Sequence, residues 1–306
     1  MIRVEVSDMF SKRIIVTALA TLAMANGPAA AQDAPGLLVD AEWLSQHLGD
    51  RGLVVLHVGD KAGYDAGHIP GARFIVEEDV AAPHDMSNPR DMMLELPALD
   101  TLRAKVASFG ISDDSRIVVY FGKNAGVPSA TRIIFTLDYL GLGPRTALLN
   151  GGLSAWQGAG KMVTTAVPAA ATGKLSARPP NPLVVDAAFV ASVQQRPNHT
   201  LVDARAAVFF TGIQPTMADK AGHIPGAVNI PFTEITDTQR LIDRARVEAL
   251  FRKAGVKPGD TVVAYCHVGQ QATAVIFAAR LLGHPTVLYD GAFQDWAINN
   301  RGAVEK

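Results

Sequence analysis

Ala66-Gly67-His68-Ile69-Pro70-Gly71-Ala72 recurs, residue for residue, at Ala221-Gly222-His223-Ile224-Pro225-Gly226-Ala227. An identical seven-residue segment at two distant places points to an internal duplication, and the flanks agree. A short apolar run precedes each copy, at residues 53–58 and 200–203. A helical stretch follows (99–109 and 247–254), then a second apolar run (117–121 and 261–265) and a second helical stretch (130–140 and 274–282). Each half closes on a Gly-x-x-x-x-Trp segment, Gly151 to Trp156 and Gly291 to Trp296. Asp40 and Asp186 stand where N-caps of short opening helices belong. Two copies are too few for a solenoid. Short buried strands alternating with helices predict an α/β fold, with one mostly parallel sheet flanked by helices per copy. The expected domains are 36–167 and 183–303. They are joined by an Ala, Pro, Gly and Thr rich linker over 168–182 that has no periodicity.

With 306 residues there is room for two cores. Basic and acidic residues number 28 and 29, giving a net charge of -1 and no strong footprint for nucleic acid or an anionic membrane. The single cysteine excludes an intrachain disulfide, and no Cys/His group has zinc-site spacing. At the amino terminus, Lys12 and Arg13 precede a mostly apolar stretch over 14–25, and Ala29-Ala30-Ala31 follows. That order predicts a signal peptide over 1–31, a mature chain from Gln32, and export to an oxidising compartment such as the periplasm. The apolar stretch is short for a retained membrane span.

The chemistry concentrates at Tyr265-Cys266-His267-Val268-Gly269-Gln270-Gln271-Ala272-Thr273. The lone cysteine falls between a buried strand and a helix start, where backbone N–H groups converge and the helix dipole is positive. Both effects favour the reactive thiolate. In a parallel sheet such a turn lies at the carboxyl ends of the strands, where sites form. The ordinary alternative is a small buried hydrophobe.

The two Gly-His-Ile-Pro-Gly-Ala segments, Asp203-Ala204-Arg205 after a strand, the Cys266 loop and the paired Gly-x-x-x-x-Trp endings resemble the tandem rhodanese sulfurtransferases. This family includes the thiosulfate and 3-mercaptopyruvate enzymes. The resemblance spans the mature chain. It implies two rhodanese-like domains, with the N-terminal one catalytically silent because Gly122 takes the place matching Cys266. It also implies that Cys266 is the nucleophile and carries sulfane sulfur as a persulfide, without metal or organic cofactor. His267, Val268, Gly269, Gln270 and Gln271 would supply backbone donors and the rim. Arg205 would bind an anionic donor, Asp203 would order the loops, and Thr273 would support the helix start. His68 and His223 read as loop-structuring residues.

Departures bear on the donor. Arg and Lys commonly follow the cysteine in thiosulfate enzymes, and Gly and Ser in mercaptopyruvate enzymes; here His267 and Val268 do. A protonated His267 would restore one positive charge. Phe209 stands where a second pocket arginine is common, which weakens a carboxylate clamp. Thiosulfate is therefore the expected donor, with 3-mercaptopyruvate second. Cyanide, a thiol or a protein thiol is the expected acceptor. Two rivals exist. Dual-specificity phosphatases of the same fold need Cys-x5-Arg, but the sixth residue after Cys266 is Ala272. A non-turnover sulfur carrier or redox-sensing module would use the same loop.

Overall fold

The computed structural model describes residues 36–306, Pro89 excepted. The signal peptide expected over 1–31 lies outside the described residues. Among the described residues no helix is long and apolar enough to cross a membrane. The N-terminal half runs β1 (Leu38–Val39), α1 (Ala41–His47), β2 (Leu53–Val58), α2 (Lys61–Ala66) and β3 (Arg73–Ile75). It continues with α3 (Leu99–Ser108), β4 (Arg116–Phe121), α4 (Val127–Tyr139), β5 (Thr146–Leu149) and α5 (Gly152–Gly158). The C-terminal half repeats that order: β6 (Val184–Val185), α6 (Ala187–Ala191), β7 (His199–Asp203), α7 (Ala207–Phe210) and β8 (Val228–Asn229). It ends with α8 (Arg244–Lys253), β9 (Thr261–Tyr265), α9 (Gln271–Leu281), β10 (Thr286–Tyr289) and α10 (Ala292–Ile298).

Each half builds a five-stranded sheet, ordered β1-β5-β4-β2-β3 and β6-β10-β9-β7-β8. Every strand pair is parallel. Strands buried on both faces need apolar side chains on both, which is why β4 and β9 read as hydrophobic runs after their first residues, and β2 does so but for His57. Val54, Leu56 and Val58 join Ile117, Val119 and Phe121 in a core shared with Val262, Ala264 and Cys266 of the other half. Val55, Val118 and Tyr120 point into an outer N-terminal core, and Leu201, Val263 and Tyr265 into an outer C-terminal one. The shared core lies at the seam, where α4 packs against α9. The hydroxyls of Thr131 and Thr273 meet there at 2.9 Å.

Asp40 and Asp186 cap their helices through Trp43 N at 2.7 Å and Phe189 N at 2.8 Å. Three helices start earlier than the sequence predicts, α8 among them, at Arg244 behind an Asp243 cap. Helix α4 begins at Val127, because Pro128 is tolerated in a first turn. Helix α9 begins at Gln271, three residues ahead of the apolar run. The repeated heptapeptide is a turn hung from the central strand. Ile69 N donates to Tyr120 Oη and Ile224 N to Tyr265 Oη, each at 3.0 Å. Gly71 and Gly226 take φ of 79° and 75°, as such a turn requires. His68 stacks on Tyr64 and donates through Nδ1 to its carbonyl, and His223 does the same with Phe210. Both histidines thus structure their loops.

Candidate active site

Cys266 follows β9 directly and is fully buried. The chain reverses over His267, Val268, Gly269 and Gln270 before α9 starts, with Gly269 at φ +83°. The backbone N–H groups of Val268, Gly269, Gln271 and Ala272 hydrogen-bond the sulfur. Helix α9 has no side-chain N-cap, so its first donors are free to turn to Cys266. One part of the sequence expectation needs correction. Burial pushes the thiol above its ordinary range, and the four donors offset only part of that rise. The cradle matches an anion, but removing the sulfur from water outweighs it in the resting thiol.

His267 is also corrected. Burial, and then the Arg205 charge, push its imidazole down to about 4. It is neutral near pH 7 and supplies no positive charge. Its ring meets Phe209 edge-to-face at 4.7 Å. Val268 is half-buried on the rim. Gln271 is half-buried too, with its Oε1 enclosed and without a partner. Thr273 Oγ1 donates to Gln270 O at 2.6 Å, the plain helix-start role.

Arg205 is fully buried beside Asp203. Its Nε donates to both Asp203 oxygens at 3.0 Å, its Nη2 to Asp203 Oδ2 at 2.5 Å and to Gly222 O at 2.7 Å. The guanidinium lies 3.9 Å from the Phe293 ring centroid. Its Nη1 has no partner, and its charge acts on Cys266. Arg205 therefore combines a structural ion pair with one uncommitted donor.

The N-terminal counterpart shows what replaced these groups. By strand register His57 faces Tyr120 as Asp203 faces Tyr265. His57 is buried, and its Nδ1 lies 2.9 Å from Tyr120 Oη. The same register sets Phe121, not Gly122 as the sequence suggests, in the place of Cys266, so an apolar aromatic ring stands where a nucleophile would be.

Residues that sequence reading missed reach the loop from the N-terminal half. Arg132 of α4 is buried. Its Nη1 donates to Asp290 Oδ1 at 2.6 Å and to Gly269 O at 3.4 Å, and its Nη2 donates to Leu94 O. Gln270 Nε2 donates to both Glu77 oxygens, at 2.7 and 2.8 Å. A signal for Arg132 existed: Ala130-Thr131-x-x-Ile134-Phe135 matches Ala272-Thr273-x-x-Ile276-Phe277, with Arg132 standing against Ala274. A charge in an otherwise apolar helix needs a buried partner.

Asp290 also borders a cavity of about 910 Å³ walled by Glu95, Tyr289, Asp295 and Arg301 among others. Burial, and then the Asp290 carboxylate, push Glu95 from its ordinary 4.5 up to about 7. The folded protein holds that proton more tightly than the unfolded chain, so stability falls as pH rises through this window. Glu95→Gln is expected to gain about 1–3 kcal/mol at about pH 8, after a discount for partial exposure, and almost nothing at about pH 4. Urea midpoints at the two pH values check this; equal gains at both would remove the titration from the explanation.

The rhodanese-like domain model matches residues 40–159 and 186–299. A probable 3-mercaptopyruvate sulfurtransferase of Pseudomonas aeruginosa is 32% identical over 256 residues, covering 79% of this chain and 85% of its own. The thiosulfate sulfurtransferase of Gallus gallus is 31% identical over 287 residues, covering 87% and 95%. The crystal structure of SseA from Escherichia coli superposes with a TM-score of 0.72 at 27% identity, over 84% of this chain and 99% of that one. The duplicated parallel sheets and these matches agree: the chain belongs to the tandem rhodanese-domain sulfurtransferase family.

Proposed function

We propose that the protein transfers sulfane sulfur from thiosulfate to a thiophilic acceptor through a persulfide on Cys266. The observation that carries this reading is the ring of four N–H donors around a single buried sulfur. The Cys266 thiolate attacks the outer sulfur of the donor. A sulfur–sulfur bond forms to Cys266, the bond to the sulfonate breaks, and its electron pair leaves as sulfite. The acceptor, cyanide or a thiol, then attacks the terminal sulfur and the electron pair returns to Cys266. Fixed donors hold the anion before and after each step with little rearrangement. Arg205 Nη1 is an uncommitted guanidinium donor, the Arg205 charge acts on Cys266, and both support binding of the donor's sulfonate. The N-terminal domain is catalytically silent in this reading. The basic-then-apolar amino terminus ending in Ala29-Ala30-Ala31 supports export to the periplasm.

A second reading takes 3-mercaptopyruvate as donor. It is favoured by the P. aeruginosa relative. Against it stands Phe209, which leaves Arg205 without a second arginine for a carboxylate clamp. The test is kcat/KM for both donors with cyanide as acceptor, on the chain from Gln32 onward. Thiosulfate is expected to be preferred by about tenfold or more, a tenfold ratio being about 1.4 kcal/mol. Preference for 3-mercaptopyruvate would overturn the donor assignment. Sulfur uptake by Cys266 without turnover of either would favour a carrier.

A further inference from the structure

We propose that Glu77, on the domain without the cysteine, is a positioning residue for sulfur transfer: it holds Gln270 and thereby the middle of the N–H loop. The inference rests on the Cys266 reading above and goes beyond it. The named donors to sulfur flank Gln270, Val268 and Gly269 before it, Gln271 and Ala272 after it. The hinge between the pairs is the Gly269–Gln270 peptide. Gly269 sits at φ +83° and has no side chain to lock it, so nothing local fixes that peptide. Gln270 does not cap α9 with its side chain. The side chain instead turns across the seam, where its Nε2 donates to both Glu77 oxygens and, at 3.4 Å, reaches Ser129 Oγ.

Glu77 opens a short 3-10 helix at residues 77–80, right after β3, so its backbone is set by the N-terminal sheet. Arg132 steadies the other half of the hinge through Gly269 O. Both restraints come from the same domain, and both act on the Gly269–Gln270 stretch in the middle of the loop. Charge-assisted hydrogen bonds of this kind are stronger than neutral ones and fix direction as well as distance. A cradle for a developing anion works only if its donors are already aimed. Glu77 acts through Gln270, so it is a positioning residue and not a catalytic one. The domain without a nucleophile thus acquires a role in the chemistry.

Glu77→Ala tests this. The expected result is a 10- to 100-fold loss of kcat, roughly the cost of a misplaced reacting group, with KM for thiosulfate within about twofold of wild type. Its rate of Cys266 alkylation by iodoacetamide, followed against pH, is expected to shift to higher pH because the thiolate loses aimed donors. Glu77→Gln, whose amide oxygen still accepts from Gln270, is expected to restore most of both. Gln270→Met breaks the same contact from the other side without touching a charge, and is expected to reproduce the Glu77→Ala profile even if Glu77→Ala folds poorly. A wild-type kcat and an unshifted alkylation profile in Gln270→Met would overturn the proposal. Alkylation needs no sulfur donor. It decides the positioning role even if wild-type protein takes no sulfur from thiosulfate, a result that would sink the donor reading alone.

Discussion

Cys266→Ser is expected to lower kcat for sulfur transfer by about 10⁴-fold or more, with the fold intact. The size of the effect follows from the chemistry. Sulfane sulfur must bond to a nucleophile that can later leave as a stable anion, and a serine alkoxide is neither formed near neutral pH nor an adequate leaving group. Burial pushes even the Cys266 thiol upward, so a hydroxyl at the same place has far less chance of ionising. Stability should hold, because the hydroxyl oxygen can accept from the N–H groups that now surround sulfur. The exchange is expected to cost within about 1 kcal/mol. Turnover with thiosulfate and cyanide, urea midpoints, and the mass of protein incubated with donor check the three parts. More than a trace of turnover in a folded serine variant would end the persulfide mechanism, because the chain has no second cysteine.

The duplication was legible because its signals are local. A heptapeptide turn, a buried strand and a helix start are each fixed by ten or so neighbouring residues. That the two sheets share one strand order follows once the copies are recognised. The Cys266 turn was legible for the same reason: a strand, a glycine and a helix start set the direction of nearby N–H groups. What the chain kept hidden depends on groups far apart in sequence. Arg205 reads as a free cation until β7 and the loop at Gly222 enclose it with Asp203. His267 reads as titratable until Phe209 and the Arg205 charge surround it. Glu77 and Gln270 are 193 positions apart, and only the packing of one half against the other brings them together. The early start of α9 was hidden because Gln271 and Ala272 spend their N–H groups on sulfur, a bond no periodicity reports.

Arg132→Met is expected to destabilise the protein by about 3–5 kcal/mol, the usual result of stranding one partner of a buried ion pair. Arg132 and Asp290 are 1% and 5% exposed at the side chain, so water touches little of the pair as it stands. Asp290 would keep only the Leu96 N–H, at 3.1 Å, to satisfy its carboxylate. A second cost arises at Leu94, a buried residue at φ +59° whose carbonyl Arg132 holds. A leucine in that conformation is strained by about 1–2 kcal/mol and keeps it only while its surroundings demand it. The melting temperature should therefore fall by on the order of 10 °C. Neutralising both partners, as Arg132→Met with Asp290→Asn, should recover more than half of the loss, because the penalty is mainly the unpaired charge. Thermal and urea unfolding of the two variants separates the cases. A single variant that loses under about 1 kcal/mol would show that water or rearrangement reaches Asp290. A double variant no better than the single would move the weight to Leu94 and to Gly269 O, the contacts through which the seam and the sulfur loop are held together.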